Sequence, residues 1–324
     1  MNEIVPVGEG KTPHGKATTV TKPDVSRPEG SRTQAFVSVD IDPIDTHLAG
    51  YGFSAPICDI VYRTAVPRLL DLLDRVRMRA TLFVVARDAE RHAPLWREVL
   101  RRGHEIGSHS VTHPIPFADL PEAELNAQLV DSRRRLEDAT DSPVLGFRAP
   151  GWDVGPGTLD AIAAAGYRYD ASILPTPALL AGAGLRFALS GGRMRPHGLG
   201  RSLRAAWSRR RPYQRPAAGG LWVFPIAVSP VLRLPFTHTL WYVAPRLVCL
   251  RTYRAIRRSA TPFSYMLHPV DLLGLREDGI DARMARHPGM NLPLAAKLDL
   301  LEERLRAISS DFHVTTYAQS LENA

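Results

Sequence analysis

His109 and His113 stand four residues apart in the run His-Ser-Val-Thr-His. Two imidazoles at that spacing project to one side of a helical or turn-like segment, so both rings can reach one ion. A zinc-like ion needs a third donor from elsewhere, and one position left open for water or substrate. Asp40 and Asp42 offer it. They follow Ala35-Phe-Val-Ser-Val39, which reads as a buried strand, and α/β folds place their chemistry at the C-terminal ends of strands. Residues two apart on a strand share a face, so one carboxylate can bind the ion while its neighbour accepts a proton from an attacking water. Arg148, in Arg-Ala-Pro150, and His268, after Tyr-Met-Leu267, add a cation and a distant imidazole. Taken singly, each has an ordinary structural reading as a helix cap, a surface ion pair or a core histidine. Taken together and in order, they are the parts of a metal-assisted hydrolase.

The elements that must carry these residues alternate. Val66 to Val76 has apolar residues at helical spacing, and Ala80 to Val85 reads as the next strand. Pro94 to Arg102 is predicted helical, stopped by Gly103, and His104 to His109 is a short strand delivering the histidine pair. Pro121, with Glu122 and Glu124 behind it, opens a helix through Glu137. Val144–Phe147 is a strand ending at Arg148, Thr158–Ala165 a helix, and Tyr167–Tyr169 a strand ending at Asp170. Later come a strand over Pro262–Leu267, a helix over Leu292–Ser309 and a strand over His313–Tyr317. A candidate functional residue at the end of strand after strand argues for a parallel α/β barrel. His104 reads as structural; His47, expected in the loop after Asp42, is a candidate substrate contact.

These motifs resemble those of the NodB-homology polysaccharide deacetylases, carbohydrate esterase family 4, from about Phe36 to His268. The resemblance implies a distorted parallel (β/α) barrel. In that family the first motif carries two aspartates, usually adjacent; here Ile41 separates them, as in a branch resembling lipid-linked sugar deformylases and deacetylases. By position, Asp40 is then the catalytic base and Asp42 a metal ligand with His109 and His113. The implied ion is zinc, although cobalt or nickel would suit the same donors. Arg148 corresponds to the arginine that orients and holds ionised the base. Gly151 replaces a tyrosine whose backbone N–H helps hold the oxyanion, a role that survives a change of side chain. Trp152 is a candidate aromatic wall. Asp170 resembles the aspartate that pairs with the catalytic histidine, here His268, and Ala171 stands where the family has tryptophan. The implied reaction is attack of an activated water on an N-acyl carbonyl. Asp40 takes a proton and a charged His268 gives one to the departing amine, so that acetate or formate leaves an amino sugar.

At 324 residues the chain can bury one large core, with 44% apolar content ordinary for a globular protein. Residues 1–33, rich in Gly, Pro, Thr and Lys, read as a disordered arm before a catalytic domain over 34–324. The arm has no apolar core of a secretory signal. Cys58 and Cys249 show neither metal-ligand spacing nor disulfide density. The expectation is a cytoplasmic protein, peripheral on the inner face of the membrane.

The net charge of +8 is unevenly spread. Residues 171–270 hold fifteen arginines and no Lys, Asp or Glu, so that segment carries +15 and the remainder −7. Within it an Arg-rich insertion is expected around 186–258, carrying Arg193, Arg195, Arg201, Arg204, Arg209–Arg211, Arg251, Arg254, Arg257 and Arg258. Interleaved are Leu221–Val228, Leu232, Leu234–Phe236 and Leu240–Val243, broken by Pro225, Pro230 and Pro235. That excludes a spanning helix, which needs about 20 uninterrupted apolar residues. Two readings stand. In one, Leu221–Val228 is a barrel strand and the arginines are solvated. In the other, cations beside Trp, Tyr, Phe and Leu contact a phosphate-bearing or membrane-embedded acceptor such as a polyprenyl phosphate sugar. A soluble N-acyl sugar or other amide is the alternative substrate. A non-catalytic protein with a vestigial site, holding anionic lipid or nucleic acid, is the alternative class; no nucleic-acid reader motif is visible.

Overall fold

The computed structural model describes residues 32–177 and 205–322. Most of the expected N-terminal arm, and Arg193, Arg195, Arg201 and Arg204, lie outside the described residues.

Nine strands form one sheet: β1 (Gln34–Ile41), β2 (Thr81–Val84), β3 (Glu105–Ser108), β4 (Gly146–Phe147), β5 (Tyr169–Asp170), β6 (Tyr213–Arg215), β7 (Leu221–Val223), β8 (Phe263–Leu267) and β9 (His313–Val314). Their order is β6-β7-β5-β4-β3-β2-β1-β8, with β9 beside the start of β1. Every pairing is parallel except the β6–β7 hairpin. The sheet curls until its ends approach. Beyond β7, Ile226 bridges Ser264 of β8, and the Ala227 N–H donates to the Ser264 carbonyl at 3.1 Å. The expected distorted barrel is therefore the fold, with Leu221–Val228 as a barrel wall.

Helices α1 (Ile44–Gly50), α2 (Val66–Arg75), α3 (Ala93–Arg101), α4 (Glu122–Thr140) and α5 (Pro156–Ala164) return the chain between the early strands. Each predicted strand and helix of this region is present within a few residues. α4 runs past the predicted end at Glu137 because Thr140 Oγ1 donates to the Leu136 carbonyl, and Asp141 then ends the helix in the left-handed region. Inside the barrel, Phe36, Phe83, Tyr169, Phe224 and Tyr317 pack together. The small residues are dictated by those rings. A Cβ on Gly146 would come within 1.8 Å of Tyr169, and one on Gly107 within 2.6 Å of Phe83.

The last predicted strand stops early. β9 ends at Val314, and Tyr317 opens a helix to Glu322 that places its ring up into the barrel, stacked on Phe36 at 4.8 Å. The expected insertion also divides. From Tyr213 onward it supplies β6, β7 and the helix Arg246–Arg258, all integral to the barrel. Among the described residues no helix is long and apolar enough to cross a membrane. Cys58 and Cys249 are both free thiols.

Candidate metal centre and active site

β3 ends at Ser108, and the histidine pair follows on a tight turn, where Ser110 and His113 both take positive φ, 66° and 60°. The turn is clamped from two sides. Ser110 Oγ accepts from the His113 N–H at 3.0 Å, and Gln128 Oε1 of α4 accepts from the Val111 and Thr112 N–H groups at 2.9 and 3.1 Å. The rings end 5.0 Å apart. His109 Nδ1 lies 2.6 Å from the Arg148 carbonyl oxygen. A carbonyl only accepts, so Nδ1 carries the proton and the Nε2 lone pair is left facing the site.

Asp42 completes the triangle. Its Oδ1 is 3.3 Å from His109 Nε2 and 3.6 Å from His113 Nε2, and one ligand atom from each residue lies within 4.8 Å of the others. Oδ1 is buried and has no hydrogen-bond partner. Burial alone would raise the Asp42 pKa, but His113 and His109 more than offset it and hold the carboxyl well below its usual value. At His113, burial dominates and lowers the pKa despite Asp42. An ionised carboxylate facing two imidazole lone pairs in a buried space is unfavourable without a cation among them. Two nitrogens and one oxygen are a donor set that zinc, cobalt or nickel accepts, so these residues fit a divalent ion.

Asp40, two residues earlier, points to different partners. Arg148 Nη1 donates to Asp40 Oδ1 at 2.5 Å, with both side chains buried. The guanidinium is held on its other sides: Nε donates to the Ala171 carbonyl at 2.9 Å, Nη2 to Tyr317 Oη at 3.2 Å, and its plane lies 4.2 Å from the centre of the Phe83 ring. Burial works to lower the Arg148 pKa, yet Asp40 beside it leaves the pKa raised. Asp40 therefore sits beside a fixed positive charge, next to the centre but outside the ligand triangle.

Gly151 has φ 61° in the short Pro150–Trp152 turn, which a side chain would strain. Trp152 packs against Leu174, Ile226, Val228 and Met266, forming an apolar wall. His268 follows β8, with Nε2 4.0 Å from Asp42 Oδ2, and its backbone N–H donates to Asp271 Oδ2 at 2.8 Å. The structure gives Asp170 a partner other than the expected His268. Both its carboxyl oxygens are taken by Ser172, through the backbone N–H at 3.1 Å and the hydroxyl at 2.5 Å. Ser172 Oγ in turn accepts from the Ala149 N–H at 2.8 Å, so Asp170 braces the loop after Arg148. Burial pushes the Asp170 pKa up to about 6.

His104 is structural, its Nδ1 accepting from the Ala80 N–H at 3.2 Å. His47 lies on α1, its ring centroid 5.8 Å from that of His268 and 5.1 Å from that of His287. Its Nε2 is buried without a hydrogen-bond partner, and burial lowers its pKa to about 3. Three contributors escaped the sequence reading. His287, hydrogen-bonded at Nδ1 to Tyr51 Oη at 2.9 Å, comes from a loop with no motif around it. Tyr317 and Gln128 act on Arg148 and the histidine turn from distant elements.

Residues 57–169 match the model of the polysaccharide deacetylase family. Among curated relatives, the Helicobacter pylori peptidoglycan deacetylase is 28% identical over 141 residues, 42% of this chain and 48% of that protein. A Bacillus cereus peptidoglycan-N-acetylglucosamine deacetylase is 30% identical over 105 residues, 32% of this chain and 48% of its own. The chain thus spans about half the length of these relatives. Among solved structures, one described as a polysaccharide deacetylase from Mycobacterium smegmatis superposes with a TM-score of 0.55 at 19% identity, covering 93% of this chain and 92% of that one. Puue allantoinase gives 0.55 at 16% identity, covering 88% of each chain, so these two likenesses bear on the fold. Fold and site define a NodB-type α/β barrel with an Asp-His-His triangle at its C-terminal end. Over residues 57–169 the chain is similar to the polysaccharide deacetylase family. The matched stretch holds His109, His113 and Arg148, whereas Asp40, Asp42, Asp170 and His268 lie outside it.

Proposed function

We propose that this chain is a metal-dependent hydrolase that removes an N-acyl group, acetyl or formyl, from an amino sugar carried on a lipid- or phosphate-linked acceptor. The observation that carries the reading is the split between two neighbouring carboxylates, one facing two imidazoles and the other locked to a buried arginine. Asp42, His109 and His113 would hold the ion. When bound, it supplies Lewis-acid polarisation of the acyl carbonyl and activation of the attacking water. Asp40 takes the proton of that water, and Arg148 holds its carboxylate oriented. The Gly151 N–H donates to the oxyanion that develops on the acyl oxygen. His268, whose Nε2 lies 4.0 Å from Asp42 Oδ2, protonates the departing nitrogen, leaving a free amine and a carboxylate. Trp152 bounds the acyl side, and Asp170 positions the Ala149–Gly151 loop through Ser172.

The acceptor class rests on the acid-free, Arg-rich segment 171–270, since guanidinium groups suit phosphate. The test is release of acetate or formate from a panel of N-acylated lipid-linked and free amino sugars, with metal-reconstituted protein. Release from lipid-linked substrates in preference to free ones supports the whole reading. Equal turnover of both removes the acceptor part, and no release from any removes the deacylase.

A further inference from the structure

Eight large apolar side chains among the described residues are about half or more exposed, and seven of them lie at one end of the barrel. Ile57 follows α1 in the loop that leaves β1, and Ile115 sits in the loop beyond β3. Val231 and Leu232, 87% and 70% exposed, form the tip of a turn beyond β7, and Trp207, 76% exposed, stands beside it. Val243 and Leu247 flank the first residue of the helix Arg246–Arg258, which descends from the same end to β8. The exception is Val130, midway along α4 on the flank. All seven therefore surround the C-terminal mouth into which Asp42, His109 and His113 open.

The Val231–Leu232 tip is built to stay out. Val228 bridges Pro235 antiparallel, Ser229 N–H donates to the Leu234 carbonyl at 2.9 Å, and Arg233 takes a positive φ of 50°. Arg233 then reaches back to staple the turn, donating to the carbonyls of Ala206 and Ser208 at 2.8 and 2.9 Å while lying 5.7 Å from the Trp207 ring centre. Arg210 lies close to Arg233, and Arg246, paired with Glu303 at 3.1 Å, stands beside Leu247, so the apolar ring carries guanidinium groups.

We propose that this end of the barrel seats on an anionic lipid bilayer, with the aliphatic tips inserted among the acyl chains and the arginines at the phosphates. The chemistry selects this occupant. Apart from Trp207, the ring offers a glycan neither hydrogen bonds nor stacking platforms, and a bilayer accepts aliphatic side chains from separate loops. The charge complements anionic headgroups, each cation near the surface adding to attachment. The arginines then separate into two sets. Arg210, Arg233 and Arg246 lie at the bilayer, while Arg257 and Arg258 sit roughly 17 Å further down their helix, at 1.5 Å per residue, and stay in water. The inference deepens the lipid-linked reading of the substrate but stands on surface geometry.

The experiment is co-sedimentation of the full-length, metal-loaded protein with phosphatidylcholine vesicles, with and without about one third phosphatidylglycerol. Wild type is expected to bind the anionic vesicles. Combining Trp207→Ser, Val231→Ser and Leu232→Ser is expected to weaken binding about tenfold or more, with thermal melting and metal stoichiometry unchanged, and Val130→Ser is expected to bind as wild type. Val231→Asp alone provides the same reading with a single change. No binding by wild type, equal binding by the triple variant, or lipid-free self-association abolished by the triple variant would each overturn the proposal. Vesicle binding without acyl release from any substrate would leave it standing and remove the deacylase reading instead.

Discussion

The two ends of the barrel are built on opposite rules. At the N-terminal end, Tyr317, Phe36, Phe83, Tyr169 and Phe224 fill the interior, and the polar atoms among them are paired. Glu105 accepts from Thr81 at 2.7 Å, Tyr169 at 2.8 Å and the Ala318 N–H at 3.1 Å, and Tyr317 Oη accepts from Arg148. At the C-terminal end, Asp42 Oδ1 and His47 Nε2 are buried without hydrogen-bond partners, two histidines face a carboxylate, and apolar tips stand in solvent. One end resembles a finished core. The other carries local costs that a ligand would relieve.

Substitutions should therefore separate by end. At the C-terminal end, chelating the ion or introducing His113→Ala is expected to abolish acyl release, while the melting temperature of the ion-free protein barely moves. Assay before and after zinc is restored checks this, and a large loss of fold stability in ion-free His113→Ala would erase the distinction. At the N-terminal end, Tyr317→Ala should cost about 3–5 kcal/mol in denaturant unfolding, the usual range for emptying a large aromatic site. Tyr317→Phe should cost about 2–3 kcal/mol, since the bond from the Arg148 guanidinium and the one to Ser38 Oγ are both lost.

Asp170, at the C-terminal end of β5 and bracing the loop after Arg148, gives a pH signature. Its folded pKa, about 6, stands above the ordinary 3.8, so the fold prefers the protonated form. Its contribution is fully present below pH 4 and lost as the pH rises through 6, on the order of 3 kcal/mol in all. Asp170→Asn should flatten that part of the stability–pH curve; an unchanged curve would assign the slope elsewhere. The smallest effect is expected from Gln128→Ala. Loosening the Val111–Thr112 clamp should cost about 1–2 kcal/mol and weaken metal affinity, with Gln128→Glu retaining an acceptor and most of that affinity.

Much of this was legible in the sequence where chemistry and local pattern coincide. The strands ending at Ile41, Ser108 and Phe147 are short, and a polar motif stands at the end of each, so both elements and candidates could be read together. The partner of Asp170 was not legible, because the choice between Ser172 and His268 depends on how the chain bends after a two-residue strand. Tyr317 falls within a predicted strand, since His-Val-Thr-Thr-Tyr has strand composition. Its ring instead completes the barrel interior, a tertiary gain that overrides local preference. The Arg-rich segment read as one unit by charge, yet its second half holds a barrel strand and a helix that returns the chain to β8.

The division of labour between Asp40 and Asp42 is the centre of the account, and one paired measurement tests it. Metal content and acyl-release rate should be determined together on Asp40→Asn and Asp42→Asn. The account predicts that Asp40→Asn keeps its ion and loses about 100- to 10,000-fold in rate, the range for a removed general base. Asp42→Asn should lose both ion and rate. An Asp40→Asn protein that loses the ion, or one that keeps full activity, would contradict it.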